Sequence, residues 1–132
     1  MKTSEYLSTF LRFVKTVKAD YKHSFEEVGN YDSMTQDLLH QLELGDPKTR
    51  GKYATQLTKV RKSRRQHKDY VATLQALNEY FTTDPKWIQV EKRLTELLGE
   101  VRKQETYVNS QRAYRPRSLD NLTINMIEDK DE

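Results

Sequence analysis

Apolar residues recur at steps of three and four along most of this chain, the spacing that lines one face of an α-helix. Tyr6, Phe10, Phe13, Val14, Val17, Tyr21, Phe25 and Val28 make one wide aromatic face and predict a helix over 3–28, ended by Gly29-Asn30. Ser33 followed by Gln36 fits a capping box and predicts a short helix over 33–44, with Met34, Leu38, Leu42 and Leu39 inward and Gly45 as its stop. Tyr53, Leu57, Val60, Val71, Leu74, Leu77 and Phe81 predict a long helix over 47–82. Trp87, Val90, Leu94, Leu97, Leu98, Val101 and Val108 predict another over 85–112. Both long helices begin at an Asp-Pro pair, Asp46-Pro47 and Asp84-Pro85: an acceptor at the N-cap, then a residue pre-set for the first turn.

The short connection Thr82-Thr83-Asp84-Pro85 makes the two long helices antiparallel neighbours. Leu74 then lies near Leu94, and Val71 near Leu97. Farther from the turn the inward positions become Arg64 and His67, facing Glu100, Lys103 and Glu105. An Arg64–Glu105 ion pair across this hairpin is the expectation, and a docking site built on the polar layer is the alternative. The fold expected is all-α: a hairpin over 46–112 with the helices 3–28 and 33–44 packed against one end. Residues 1–117 form a single helical domain, and 118–132 a C-terminal segment.

Composition agrees with long helices. Hydrophobic residues are 35% and charged residues 33% of 132, with four Gly and three Pro. Such a core is thin, so dimerisation would add burial. The absence of cysteine excludes disulfides and thiolate metal sites. No apolar run is long enough for a signal peptide or a membrane span, and a cytoplasmic protein with no membrane partner is expected.

The net charge of +3 conceals a strong asymmetry. Residues 1–45 carry five basic and seven acidic side chains, and 46–82 carry nine and three. Residues 83–117 carry eight and five, and 118–132 one and five. The acidic end, Glu128–Glu132, is open to three readings: it neutralises the basic run in cis, it mimics nucleic acid toward a basic partner, or it is disordered, which is the expectation for the last five residues.

Binding is therefore the chemistry to look for. Lys59, Arg61, Lys62, Arg64, Arg65 and Lys68 spread over more than half the circumference of a helix, but Arg61, Arg65 and Lys68 share one face, with Lys62 beside Arg65. Tyr53 and Tyr70 stand at either end. Such a set suits nucleic-acid phosphates with base stacking, or an acidic protein surface, or plain solubility. Arg102, Lys103, Arg112, Arg115 and Arg117 extend the basic character toward the end of the hairpin. Asp37 and His40 have the i, i+3 spacing of a metal pair, but there is no second copy and His23, His40 and His67 are scattered, so neither metal nor cofactor is expected. The four glycines are isolated, there is no cysteine and no serine sits in a nucleophile elbow, so an enzyme is not expected.

Three segments carry a resemblance: Thr35–Leu44; Ala54–Leu57 with Arg61–Arg65 and Lys68-Asp69; and Leu97–Lys103 with Tyr114–Arg117. Together, over roughly residues 33–117, they resemble a family of small helical accessory proteins encoded by phages and prophages of Gram-positive bacteria. The family carries no established activity, so the resemblance assigns no role to any residue. It implies a phage protein acting in the host cytoplasm. By analogy with other small phage proteins, it also implies one that occupies a host machine, as anti-CRISPR inhibitors do. The leading expectation is a non-catalytic inhibitor of a host protein or ribonucleoprotein complex. A direct DNA- or RNA-binding accessory protein and a structural coiled-coil dimer are the alternatives.

Overall fold

The structure, a computed structural model, describes residues 1–110. Three α-helices account for nearly all of them: α1 (Thr3–Leu44), α2 (Pro47–Thr83) and α3 (Pro85–Asn109). The all-α expectation holds, and the boundaries of α2 and the start of α3 are those the Asp-Pro pairs announce. Asp46 Oδ1 accepts the Thr49 N–H at 3.0 Å at the head of α2. Asp84 serves two helices at once. Its N–H donates to the Tyr80 carbonyl at 3.3 Å, and its Oδ1 accepts the Lys86 and Trp87 N–H groups at 2.9 and 3.1 Å.

The N-terminal pair of helices is in fact one. α1 runs unbroken for 42 residues, roughly 63 Å at 1.5 Å per residue, through Gly29-Asn30 and Ser33. Ser33 is no N-cap: its Oγ donates to the Gly29 carbonyl one turn back, as a hydroxyl inside a helix does. The reason lies in packing. Val14, Val17, Tyr21, Ser24, Val28, Tyr31, Thr35, Leu38 and Leu42 alternate steps of three and four across the supposed break, and every one is buried or half-buried. Seating that seam on α2 outweighs the roughly 1 kcal/mol by which an interior glycine weakens a helix relative to alanine.

α2 carries the matching seam: Tyr53, Leu57, Val60, Arg64, His67, Val71, Leu74, Asn78 and Phe81. A strict alternation of three and four keeps both stripes turned toward each other over many turns. The two helices are antiparallel, as four cross-contacts show: Phe13 with Phe81, Asp20 with Tyr70, Ser24 with His67, and Asp32 with Arg64. α1 therefore runs along α2 and does not sit at one end of an α2–α3 hairpin. The connection is two residues, Gly45 and Asp46. A Cβ at Gly45 would lie 2.5 Å from the Gln41 carbonyl oxygen, so only glycine fits the chain's departure from α1.

Within the α1–α2 hairpin, full burial of apolar side chains is confined to the end near the Asp84 turn. Val14, Val17, Phe81 and Trp87 form the core cluster, with Leu74 and Leu94 packed against it. The close pairing along the seam is α1 with α2, and packing on a shared cluster does not by itself bring Leu74 to Leu94 as expected. Rings interlock around the cluster: Phe81 and Trp87 have centroids 5.0 Å apart, Phe10 meets Trp87 edge-on at 6.0 Å, and Phe13 meets Phe81 at 6.4 Å. α3 also reaches α1 through Lys18 and Glu91, 3.6 Å apart. Among the described residues, no helix is long and apolar enough to cross a membrane.

Contacts divide the chain into two units, Met1–Arg102 and Lys103–Glu132. Of the second, helix continues to Asn109, and the Ser110 hydroxyl donates to the Tyr107 carbonyl at 2.7 Å. The segment 118–132 lies outside the described residues.

Candidate binding flank

The polar layer predicted at Arg64 and His67 exists, but α1 completes it. Arg64 Nε donates to Asp32 Oδ1, where Glu105 was the expected partner. His67 Nδ1 lies 3.2 Å from Ser24 Oγ, and its ring contacts those of His23 and Tyr31. One turn on, the Tyr70 hydroxyl donates to Asp20 Oδ2 at 2.8 Å. That bond, with some desolvation and the charge of Asp20, raises the Tyr70 phenol above its ordinary value. Sequence reasoning did not find Asp20, Ser24 or Asp32. Their partners depend on the register between α1 and α2, which the false break at Gly29 concealed.

These contacts also fix the two sides of the hairpin. Asp20 and Tyr70 each precede a seam residue, Tyr21 and Val71, and they meet on one side. Positions that follow a seam residue therefore emerge on the other. On α2 these are Ala54, Arg61 and Lys68, with Thr58 and Arg65 a little farther round. On α1 they are Phe25, Asp32 and Leu39.

Arg61, Lys62, Arg65 and Lys68 are all exposed, and no described acidic side chain pairs with any of them. Leu57, Thr58, Arg61, Lys62 and Arg65 line a shallow groove along α2. Two guanidiniums one turn apart can each grip a carboxylate or phosphate through paired N–H donors, and the lysines add point charge. The flanking aromatics are not placed for stacking. Tyr53 is half-buried in the seam, and the Tyr70 hydroxyl is held on the opposite side by Asp20. The flank can therefore hold anions, and neither Tyr53 nor Tyr70 offers it a platform for bases.

The remaining predicted residues scatter. Lys59 is exposed on the side away from Arg61. Arg102 lines a cleft of about 320 Å³ between α1 and α3, with Ser8, Leu11, Arg12, Lys15, Glu91, Thr95 and Leu98. Lys103 is exposed on α3, in the second unit. Arg112, Arg115 and Arg117 lie outside the described residues. Asp37 and His40 are both exposed, and among the described residues no group of three or more His, Asp or Glu could hold a metal ion. No protein family, no curated protein and no solved structure matches the chain.

Proposed function

We propose that this chain is a non-catalytic binding protein that acts by occupying an anionic surface of a host nucleic-acid-processing or defence complex, a CRISPR–Cas complex among the candidates. The observation that supports the reading most directly is the exposed set Arg61, Lys62, Arg65 and Lys68, four cations along about two turns with no acidic partner among the described residues. Arg102 and Lys103, together with Arg112, Arg115 and Arg117, are secondary contacts in this proposal. The phage origin and the host cytoplasm come from the resemblance over residues 33–117, and the choice of complex from analogy with other small phage proteins. An acidic protein surface or a bound phosphate backbone both satisfy the flank. The inward placement of Tyr53 and the tethering of Tyr70 favour contact with charge over base stacking.

Capture from phage-infected Gram-positive host lysate, with and without nuclease, tests this, alongside an Arg61→Glu/Arg65→Glu/Lys68→Glu variant. A nucleic-acid enzyme retained after nuclease and lost in the variant is the expected result. Recovery of nucleic acid alone, abolished by nuclease, would overturn it in favour of a direct DNA- or RNA-binding protein, whose affinity would fall steeply with salt. Capture of the same enzyme equally by the variant would also overturn it.

A further inference from the structure

Between Phe25 and Tyr80 the hairpin contains no fully buried residue. Two helices lie seam to seam there, and Tyr31, Thr35, Leu38 and Leu42 of α1, with Tyr53, Leu57 and Val60 of α2, are only half covered. Phe25 and Leu39, which follow seam positions on the same side as Arg61, are 61% and 47% exposed. A bare helical pair of this kind is a half-built core, and four helices are the usual completion.

The charges say what completes it. The distal arm of α1, residues 23–45, carries Glu26, Glu27, Asp32, Asp37 and Glu43 and no Lys or Arg. The arm of α2 beside it, residues 46–68, carries nine Lys or Arg and only Asp46 against them. Within the chain, Arg64 with Asp32 is the ion pair described between these two arms. On the Arg61 side, Asp32 and Glu43 of α1 and Arg61, Arg65 and Lys68 of α2 display charge that the other arm of a second hairpin would neutralise, while Glu27 and Asp37 precede seam residues and lie on the Tyr70 side.

We propose that two copies of this chain associate through their distal arms into a four-helix bundle, the acidic α1 of each copy lying on the basic α2 of the other. The charges select the symmetry. A twofold axis perpendicular to the hairpin would stack α1 on α1 and α2 on α2, like on like. An axis running along the hairpin stacks α1 on α2 twice, with both Gly45-Asp46 tips at the same end, and the contact closes on itself. The register follows from the contacts within each chain. Arg61 and Arg65 stand level with Gly29 and Asp32, because Arg64 meets Asp32 and His67 meets Ser24. Across the axis Arg61 and Arg65 of one copy therefore face Asp32 of the other. Leu39 falls beside Ala54 and Thr58, and Glu43 toward Arg50. Gly29 also acquires a role: a Cβ there meets nothing within 4 Å in the single chain, so the glycine is free to admit a neighbouring helix. The bundle occupies the flank proposed above for the host complex, so a second copy and that complex exclude each other.

The full chain is tested by light scattering over a hundredfold range of concentration, at low and high salt. The mass is expected to rise from 15.7 kDa toward twice that value with concentration, and to fall back when salt is raised. Two charge-reversed chains sharpen the test: Arg61→Glu/Arg65→Glu, and Asp32→Lys/Glu43→Lys. Each alone should remain a monomer, and an equal mixture should recover the dimer, since reversed α2 then meets reversed α1 and unaltered α1 meets unaltered α2. Gly29→Arg, at a position where a Cβ meets nothing within 4 Å in its own chain, should also abolish the dimer while helix content by circular dichroism is kept. A wild-type monomer throughout the range would overturn the proposal. So would a dimer that survives both reversals separately, or variants that fold and do not pair when mixed. None of these results depends on the capture experiment, so either reading can fail alone.

Discussion

The two ends of the α1–α2 hairpin share one seam spacing and differ in what fills it. At the end near the Asp84 turn the seam is Val14, Val17, Phe81 and Leu74, closed over by Trp87 and Leu94. Toward the Gly45-Asp46 tip it is Tyr31, Thr35, His67 and Arg64, with Leu38, Leu42, Leu57 and Val60 only half covered. Periodicity therefore decides that the helices pair, and the identity of the seam residues decides which end is firmly held. Apolar side chains removed from water supply stability at the first end. Hydrogen bonds and an ion pair at the second supply register with little net energy, since each replaces bonds to water.

Truncations should separate the ends most clearly. Phe81→Ala is expected to cost about 3–5 kcal/mol and Val14→Ala, at 0% exposure, about 2 kcal/mol, whereas half-exposed Leu38→Ala should cost about 1 kcal/mol. Thermal melts at one concentration, read as midpoint shifts, check the ordering. If Leu38→Ala proved as damaging as Phe81→Ala, the distal arms would be as well covered as the core. Next in size is the polar layer. Ser24→Ala combined with His67→Leu removes both partners of one contact and leaves apolar groups in a seam, and should change stability by about 1 kcal/mol or less, toward greater stability. Denaturant titration of the double and each single variant would show whether the pair or only its imbalance matters.

Gly29→Ala should stabilise the chain by about 0.5–1 kcal/mol, because its backbone is helical and its Cβ finds open space. Gly45→Ala should do the opposite, as its Cβ would collide with the Gln41 carbonyl. The smallest effect is in alkali. The Tyr70 phenol is raised above its ordinary 10.0, so the folded chain holds this proton more tightly than the unfolded one. That contribution is complete below the ordinary tyrosine range and is lost as pH rises through the raised value. Tyr70→Phe should flatten the decline of stability above about pH 10, seen by comparing melts at neutral and alkaline pH.

Much of this fold was legible from residues alone. The Asp-Pro pairs at 46–47 and 84–85 placed two helix starts, because a cap and a pre-set φ are local physics. Gly29-Asn30 misled because the same local reasoning ignores a seam that continues on both sides of it. The partner of Arg64 was illegible for a related reason: with α1 read as two pieces, nothing set Asp32 beside it. Of the candidate flank, the shared face of Arg61, Arg65 and Lys68 follows from spacing, and the structure keeps all three exposed. What spacing could not reveal is that Tyr53 and Tyr70 face elsewhere, since their directions depend on the helix opposite. Nor could it reveal that α1 brings a run of carboxylates alongside a run of cations.

The firm packing around Asp84 also bears on the order in which this chain folds. Tyr80, Phe81 and Trp87 meet across a turn of a few residues, so the loop that must close before they touch is short. Phe13 and Phe81, by contrast, are joined by nearly the whole hairpin, and closing so long a loop is slower than closing a tight turn. The tip at Gly45-Asp46 is local too, but little fully buried apolar surface lies next to it to reward early closure. The turn between α2 and α3 is therefore the expected nucleus, onto which α1 later lays its length. Truncation at Phe81 or Trp87 should slow folding, while truncation near Leu38 or Leu57 should chiefly hasten unfolding.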